Sequence, residues 1–348
     1  MYSLIATPRL AVAAAGFAAM VVLAPTAANA QGNLVLYCTP EEQWCRAVVT
    51  AFEKETGIKV AMTRKSSGEN YAQIKAEASN PRGDVWFGGT GDPHLQAAEE
   101  ELTVPYKSPL MGQLYDWAIR QAEQANFKTV GVYAGALGFG YNEDLLKKRG
   151  LAAPKCWADL LDPKLKDEVQ VADPNSSGTS YTMLATMVQL MGEDKGFDYL
   201  KKVHKNINQY TKSGAAPAKA TALGETLVGI TFMHDMVTMA VGGAPVKVVA
   251  PCEGTGYEIG SMSIIKGGRN PDNAKKFYDW ALTPAAQKLA AENKSFQVPS
   301  NKNTPVPPQS PNLADVKLIN YDFAKYGSSA ERRRLLSKWD NEVKNLPK

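Results

Sequence analysis

Two short runs of small hydroxyl residues carry the first chemical signal: Ser66-Ser67-Gly68 and Ser176-Ser177-Gly178-Thr179. Each follows an apolar, strand-like run and precedes a segment with helical spacing. The first turn of a helix leaves backbone N–H groups without partners, and the helix dipole adds partial positive charge there. Such a start favours an anion. Serine before a helix also serves as an ordinary cap with no ligand involved, and for one segment alone that is the plainer reading. Two such starts, together with Gly89-Thr90-Gly91 after another strand, point toward an anion cradle. A second polar set does different chemistry. His234-Asp235 follows the apolar run Val228–Phe232, and Glu253 follows Cys252 ahead of the next strand. Carboxylates accept from hydroxyls and an imidazole can donate or accept, so this set suits the hydroxyls of a sugar. No nucleophile accompanies it, and G-x-S-x-G, Walker A, H-E-x-x-H and a complete G-x-G-x-x-G are all absent from the sequence. Binding rather than catalysis is expected, with no cofactor; the rival from another class is a secreted phosphate-ester hydrolase using His234 with Asp235.

The elements that must position these residues alternate between strand and helix. Asn33 to Tyr37 reads as a strand, Gln43 to Thr56 as a helix ended by Gly57, and Ile58 to Met62 as the next strand. A helix follows from near Glu69, then a strand from Asp84 to Phe87. Thr129 to Tyr133, Glu168 to Ala172, Val228 to Phe232, Val246 to Ala250 and Tyr257 to Ile265 read as further strands. Gly135 to Gly140 has the spacing G-x-x-G-x-G, which reads as close backbone packing at a hinge. Helices are expected from Ser180 to Leu190, over Asn270 to Asn293 with a break at Pro284, and around Glu331 to Val343. Asn301 to Pro311 holds four prolines and no apolar face, so it reads as a surface strap. This alternation defines an α/β chain with a largely parallel sheet. In open sheets of that kind, polar loops after the strands form the ligand edge.

The N-terminus bears on compartment. Arg9 precedes an apolar run from Ala11 to Leu23, and Ala28-Asn29-Ala30 fits the small-x-small rule. Residues 1–30 are therefore expected to be a signal peptide cleaved after Ala30, which directs the chain to export. The run is shorter than the roughly 20 apolar residues of a spanning helix. Export places Cys38, Cys45, Cys156 and Cys252 in an oxidising space. Proximity in sequence favours Cys38–Cys45, and Cys156–Cys252 follows by elimination. The three histidines are scattered and no C-x-x-C occurs, so no metal site is expected. The net charge of +4, from 39 basic and 35 acidic residues, is interleaved rather than massed, which excludes a nucleic-acid footprint.

Taken together, several segments resemble the periplasmic solute-binding proteins of bacterial ABC importers. They are LVLYCTPEEQWCRAVVTAFEKETGIKV, DVWFGGTGDPHLQAAEE, GALGFGYNEDLL, CWADLLDPKLKDEV with ADPNSSGTSY, and EIGSMSIIKGGRNPDNAKKFYDW. The resemblance is to the type II architecture and its iron-uptake-like branch. It implies two lobes joined by crossing hinge strands: residues 31–132 and 260–300 in lobe one, 133–259 and 301–348 in lobe two. Ferric-binding members of that branch use two adjacent tyrosines where this chain has Phe232-Met233-His234-Asp235. The His-Asp pair and the segment Pro251 to Tyr257 are instead similar to the sub-branch that binds sugar phosphates. That similarity implies that Ser66, Ser67, Ser176, Ser177, Gly178 and Thr179 hold phosphate. His234, Asp235 and Glu253 would hold hydroxyls, with Thr39 and Asp92 lining the cleft. The partners it implies are a small phosphorylated ligand and a membrane permease with its ATPase, the binding protein itself being a monomer. Ferric iron, or another small oxyanion or phosphonate, is the alternative ligand within the same class.

Overall fold

The computed structural model describes residues 1–3 and 32–347. Apart from residues 1–3, the expected signal peptide and its cleavage site lie outside the described residues. Among the described residues no helix is long and apolar enough to cross a membrane.

The chain opens as a strict alternation: β1 (Asn33–Cys38), α1 (Glu42–Thr56), β2 (Lys59–Arg64), α2 (Ser67–Ala76), β3 (Val85–Phe87) and α3 (Gly91–Glu99). β1 pairs in parallel with both β2 and β3, as right-handed βαβ units require. α1 buries Trp44, Val48 and Phe52 against this sheet and ends at Gly57, whose φ of 72° lies in the left-handed region that glycine adopts without strain. β4 (Thr103–Val104) and α4 (Asp116–Gln124) then lead into β5 (Val130–Asn142).

β5 organises the molecule. The glycine-rich run and the apolar run before it form one continuous strand of 13 residues rather than a strand followed by a loop. Its first part pairs antiparallel with β10 (Tyr257–Ile265), and its second part, from Leu137 onward, pairs with β8 (Val228–Phe232). The strand therefore passes from one half of the sheet to the other. The second half follows the same pattern: α5 (Glu143–Arg149), β6 (Val169–Ala172), α6 (Gly178–Met191), α7 (Glu193–His204), β7 (Ile207–Thr211) and α8 (Ala216–Leu223) precede β8. α9 (Met233–Val241) and β9 (Val246–Val249) separate β8 from β10. The overall order is β2-β1-β3-β10-β5-β8-β6-β7. After β10 come α10 (Pro271–Ala281), α11 (Pro284–Glu292), β11 (Val298–Pro299), α12 (Phe323–Tyr326) and α13 (Ser329–Trp339). The break between α10 and α11 falls at Pro284, which begins the second helix at the position where its missing N–H costs nothing.

Two large apolar cores lie on either side of the β5 crossing. One gathers Leu34, Leu36, Trp44, Phe52, Phe87, Phe277 and Leu282. The other gathers Phe139, Trp157, Tyr181, Leu184, Phe197 and Ile230, and includes Tyr326, Leu335 and Trp339 from the C-terminal segment. Both cysteine pairs are disulfides: Cys38–Cys45 joins the end of β1 to α1, and Cys156–Cys252 closes a separation of 96 residues.

Candidate ligand-binding cavity

A small cavity of about 60 Å³ opens beside the β5 crossing. Six helices begin at its wall. Thr39, Pro40 and Glu41 lead into α1, Ser66 and Ser67 start α2, and Gly89 and Thr90 precede α3. Ser177, Gly178 and Thr179 start α6, Gly214 and Ala215 precede α8, and Phe232, His234 and Asp235 belong to the start of α9. Each start presents partial positive charge, so their convergence favours a bound anion far more than any one of them could.

The hydroxyls at this wall are held by bonds that leave their own protons free. The Thr39 Oγ1 accepts from Asn70 Nδ2 and from Trp86 Nε1, both at 2.9 Å. With both lone pairs engaged, its hydroxyl hydrogen remains to donate to an acceptor. Ser67 Oγ accepts from the Thr90 N–H at 3.2 Å. Ser66, the residue capping α2, donates its backbone N–H to Glu69 Oε2 at 3.2 Å, and Ser177 Oγ accepts from Ser180 N–H at 3.5 Å at the start of α6. Glycine is required where these segments meet. A Cβ on Gly68 would lie 2.2 Å from the Asn175 carbonyl, and one on Gly178 would lie 1.9 Å from Thr90 Oγ1. The α2 start also bonds across to the α6 start, Gly68 N–H donating to the Ser176 carbonyl at 2.9 Å.

His234, Asp235 and Glu258 form the second polar set. His234 Nε2 lies 3.7 Å from Asp235 Oδ1 and 3.8 Å from Glu258 Oε1. Asp235 Oδ2 accepts from the Thr231 hydroxyl at 2.7 Å. The imidazole packs against the β5 backbone at Gly135, where a Cβ would approach its Nδ1 to 2.5 Å. Burial pushes the imidazole down to about 3, so the ring is neutral. Burial, with the Glu41 charge adding to it, pushes the Asp235 carboxyl up to about 7. Glu258 is raised well above the carboxylate range by burial first, then by Asp235 and Asp92. Arg64 supplies a guanidinium at the wall, its Nε donating to the Pro40 carbonyl at 3.1 Å.

Of the residues singled out in the sequence, Thr39, Ser66, Ser67, Ser177, Gly178, Thr179, His234 and Asp235 come together at this cavity. Three do not line it. Glu253 is a correction: its carboxylate accepts from the backbone N–H groups of Trp157 at 2.8 Å and Ala158 at 2.9 Å. It thereby caps the helical turn Trp157–Leu161 next to the Cys156–Cys252 disulfide. Asp92 lies behind the wall rather than on it. It is fully buried, accepts from the Tyr321 hydroxyl at 3.3 Å, and feels the Arg332 charge; burial still pushes its carboxyl up to about 6. Ser176 turns its hydroxyl away, donating to the carbonyls of Asp173 and Lys212, and meets α2 only through its own carbonyl. The residues missed by sequence reasoning are Glu258, Tyr133, Arg64 and Glu41. Glu258 had a signal: it is the one carboxylate inside the apolar strand Tyr257–Ile265. Arg64 and Glu41 look like ordinary surface charges until the sheet brings the ends of β1 and β2 together.

Fold and site together define a two-lobed receptor for a small solute. The chain belongs to the bacterial extracellular solute-binding proteins, whose family model matches residues 90–326. It is similar to the periplasmic binding protein AfuA from Actinobacillus pleuropneumoniae, solved with exogenous fructose 6-phosphate bound. The two are 48% identical, with a TM-score of 0.89 covering 90% of this chain and 99% of that one. The periplasmic binding protein P5PA is 40% identical, with a TM-score of 0.87 over 90% of this chain and 100% of its own. An uncharacterized protein of Haemophilus influenzae is 47% identical over 319 residues, spanning 91% of this chain and 92% of its own. The fold is accordingly the type II periplasmic-binding-protein architecture, and the chain is a binding protein rather than an enzyme.

Proposed function

We propose that this protein captures a sugar phosphate in the periplasm and delivers it to the permease of an ABC importer with its ATPase. The observation that carries the reading is the pairing of two chemistries in one cavity. Six helix starts and free hydroxyls suit a phosphate, while His234, Asp235 and Glu258 suit sugar hydroxyls. The sugar-phosphate ligand in the AfuA structure supports the same assignment. In this reading residues 1–30 are removed on export. The lobes divide as residues 31–132 with 260–300 and residues 133–259 with 301–348, hinged where β5 and β10 cross. Ligand contacts from both lobes exist together only in the closed form, so ligand shifts the population toward it.

Among the described residues the cavity offers ferric iron no pair of tyrosines. Its one tyrosine, Tyr133, accepts from the Gly89 N–H at 2.8 Å, and burial raises its phenol well above the usual range. Hard ferric iron needs anionic oxygen ligands. The test is a thermal-shift panel of fructose 6-phosphate, fructose, inorganic phosphate, an aminoalkylphosphonate and ferric citrate. A ligand present at about 100 times its Kd stabilises by about 2.7 kcal/mol, so a true ligand is readily seen. Fructose 6-phosphate should shift the transition and fructose should not. A shift with ferric citrate alone, accompanied by a coloured charge-transfer band, would overturn the assignment.

A further inference from the structure

Among the described residues, three carboxyls border this cavity, Glu41, Asp235 and Glu258, and Arg64 is its only guanidinium or ammonium. Glu41 has cations of its own, with Lys219 Nζ at 2.8 Å and Arg64 Nη2 at 3.8 Å. Among the described residues, neither Asp235 nor Glu258 has a lysine or arginine within salt-bridge distance; the neutral His234 ring lies between them. The charged groups around the pair come from every side. Glu41 faces it from the start of α1, Arg64 from the end of β2, Lys219 from α8, and Asp92 with Arg332 from behind α3. Tyr133 on β5 and Thr231 on β8 contribute only hydroxyls. A phosphorylated ligand brings up to two further negative charges, since its second ionisation lies near pH 6. In an enclosed space a nearby like charge favours the protonated carboxyl.

We propose that the cavity takes its phosphorylated ligand together with one proton, held in the Asp235–His234–Glu258 cluster. The proposal rests on the sugar-phosphate reading given above. A protonated Asp235 carboxyl keeps one donor and one acceptor for the sugar hydroxyls, whereas its carboxylate only accepts. Burial, Asp235 and Asp92 all favour the protonated form of Glu258, so the proton recruited on binding goes to Asp235. The start of α9 favours the Asp235 carboxylate, but burial and Glu41 outweigh it and leave its carboxyl at about 7. The sign follows from linkage. A group whose affinity for a proton rises on binding takes the proton up wherever the free protein has lost it, here above about pH 7.

The test is titration calorimetry with fructose 6-phosphate at about pH 8, in HEPES and in Tris, whose ionisation enthalpies differ. The expected result is uptake of close to one proton per ligand. Kd should rise about fivefold from about pH 7 to about pH 8, then approach about tenfold per further pH unit. In Asp235→Asn the uptake should fall to near zero and Kd should lose this slope. Binding with no proton uptake in the wild-type protein overturns the proposal while leaving the sugar-phosphate reading intact. Uptake that persists in Asp235→Asn places the proton on the phosphate or elsewhere, and also overturns it. Failure of fructose 6-phosphate to bind at all removes both. If Asp235→Asn does not bind, the wild-type proton number and pH slope decide alone.

Discussion

Gly135→Ala tests whether His234 is held in place by the absence of a side chain on β5. The added carbon would lie 2.5 Å from His234 Nδ1 and 2.7 Å from its Cε1. Gly135 does not have the positive φ that would itself strain alanine, so any effect comes from this contact. The ring has little room. It stacks on Phe232 with centroids 5.5 Å apart, and its far edge faces Asp235 and Glu258 at 3.7 and 3.8 Å. Retreat is possible only toward the cavity. Overpacking of this kind costs about 1–3 kcal/mol, and replacing a strand glycine with alanine returns roughly 0.5–1 kcal/mol of that. The net loss of stability should therefore be about 0.5–2 kcal/mol. The displaced imidazole would also enter the cavity and forfeit the sugar contact proposed for it, so Kd should rise at least about tenfold, or about 1.4 kcal/mol.

The decisive measurement is a double-mutant cycle with His234→Ala, read by chemical denaturation and by calorimetric titration with fructose 6-phosphate. In the His234→Ala background the added methyl meets nothing, so Gly135→Ala should be neutral or slightly stabilising. The coupling energy in stability should be at least about 1 kcal/mol. A coupling below about 0.5 kcal/mol would refute the reasoning, because the cost would then arise from the strand and not from the imidazole.

Other consequences follow from the same geometry. Glu253→Gln should lower stability by about 1–2 kcal/mol, since its carboxylate satisfies two backbone N–H groups, and should leave Kd unchanged; Glu258→Gln should change Kd. Parallel denaturation and binding curves on the two variants separate the roles, and a weakened Kd in Glu253→Gln alone would reverse them. Loss of the Cys156–Cys252 disulfide through a double Ser substitution should cost up to about 4.7 kcal/mol by loop entropy, against about 2.5 kcal/mol for Cys38–Cys45. Denaturant midpoints give that order directly, and equal losses would count against it. Lys219→Ala removes the partner of Glu41, an exposed pair worth at most about 1 kcal/mol. Ligand release measured by stopped flow should then quicken no more than about fivefold, and less at high salt.

Much of this arrangement was legible in the residues because local rules decide it. β10 has the bounds expected for it, and the strands near Asn33 and Val228 and the helix break at Pro284 fall where apolar runs, glycine and proline place them. The hydroxyl-rich helix starts were legible for the same reason, because a cap and an anion site share one local geometry. What local rules do not decide is which face of a strand a side chain takes and which distant loop it meets. Glu253 and Glu258 differ by five positions, and pairing of β10 with β5 sends the second to the cavity while the first closes a turn beside a disulfide. Asp92 shows the same limit: it sits in the first turn of α3 at the cavity rim, yet points inward to Tyr321 and toward Arg332 of the C-terminal segment. No spacing in the sequence links residues 92 and 332.

Selectivity for an anion in a chain of net charge +4 needs a source other than bulk charge. The helix starts provide it, and their number follows from topology. In an α/β sheet each parallel strand hands over to a helix at the same edge, so one half-sheet delivers several starts to one rim. Here β1, β2 and β3 deliver α1, α2 and α3, while β6, β7 and β8 deliver α6, α8 and α9. β5 and β10 bring the two rims face to face. Neither rim holds the full set: the Ser66-Ser67 start comes from one, and the Ser177–Thr179 start with His234 and Asp235 comes from the other. A ligand that needs both chemistries must bridge the rims, beside the Gly68 N–H to Ser176 carbonyl bond that joins them. In the proposed function, recognition and closure are therefore one event. A substitution at either rim should weaken both ends of the ligand's binding, not only the end it touches.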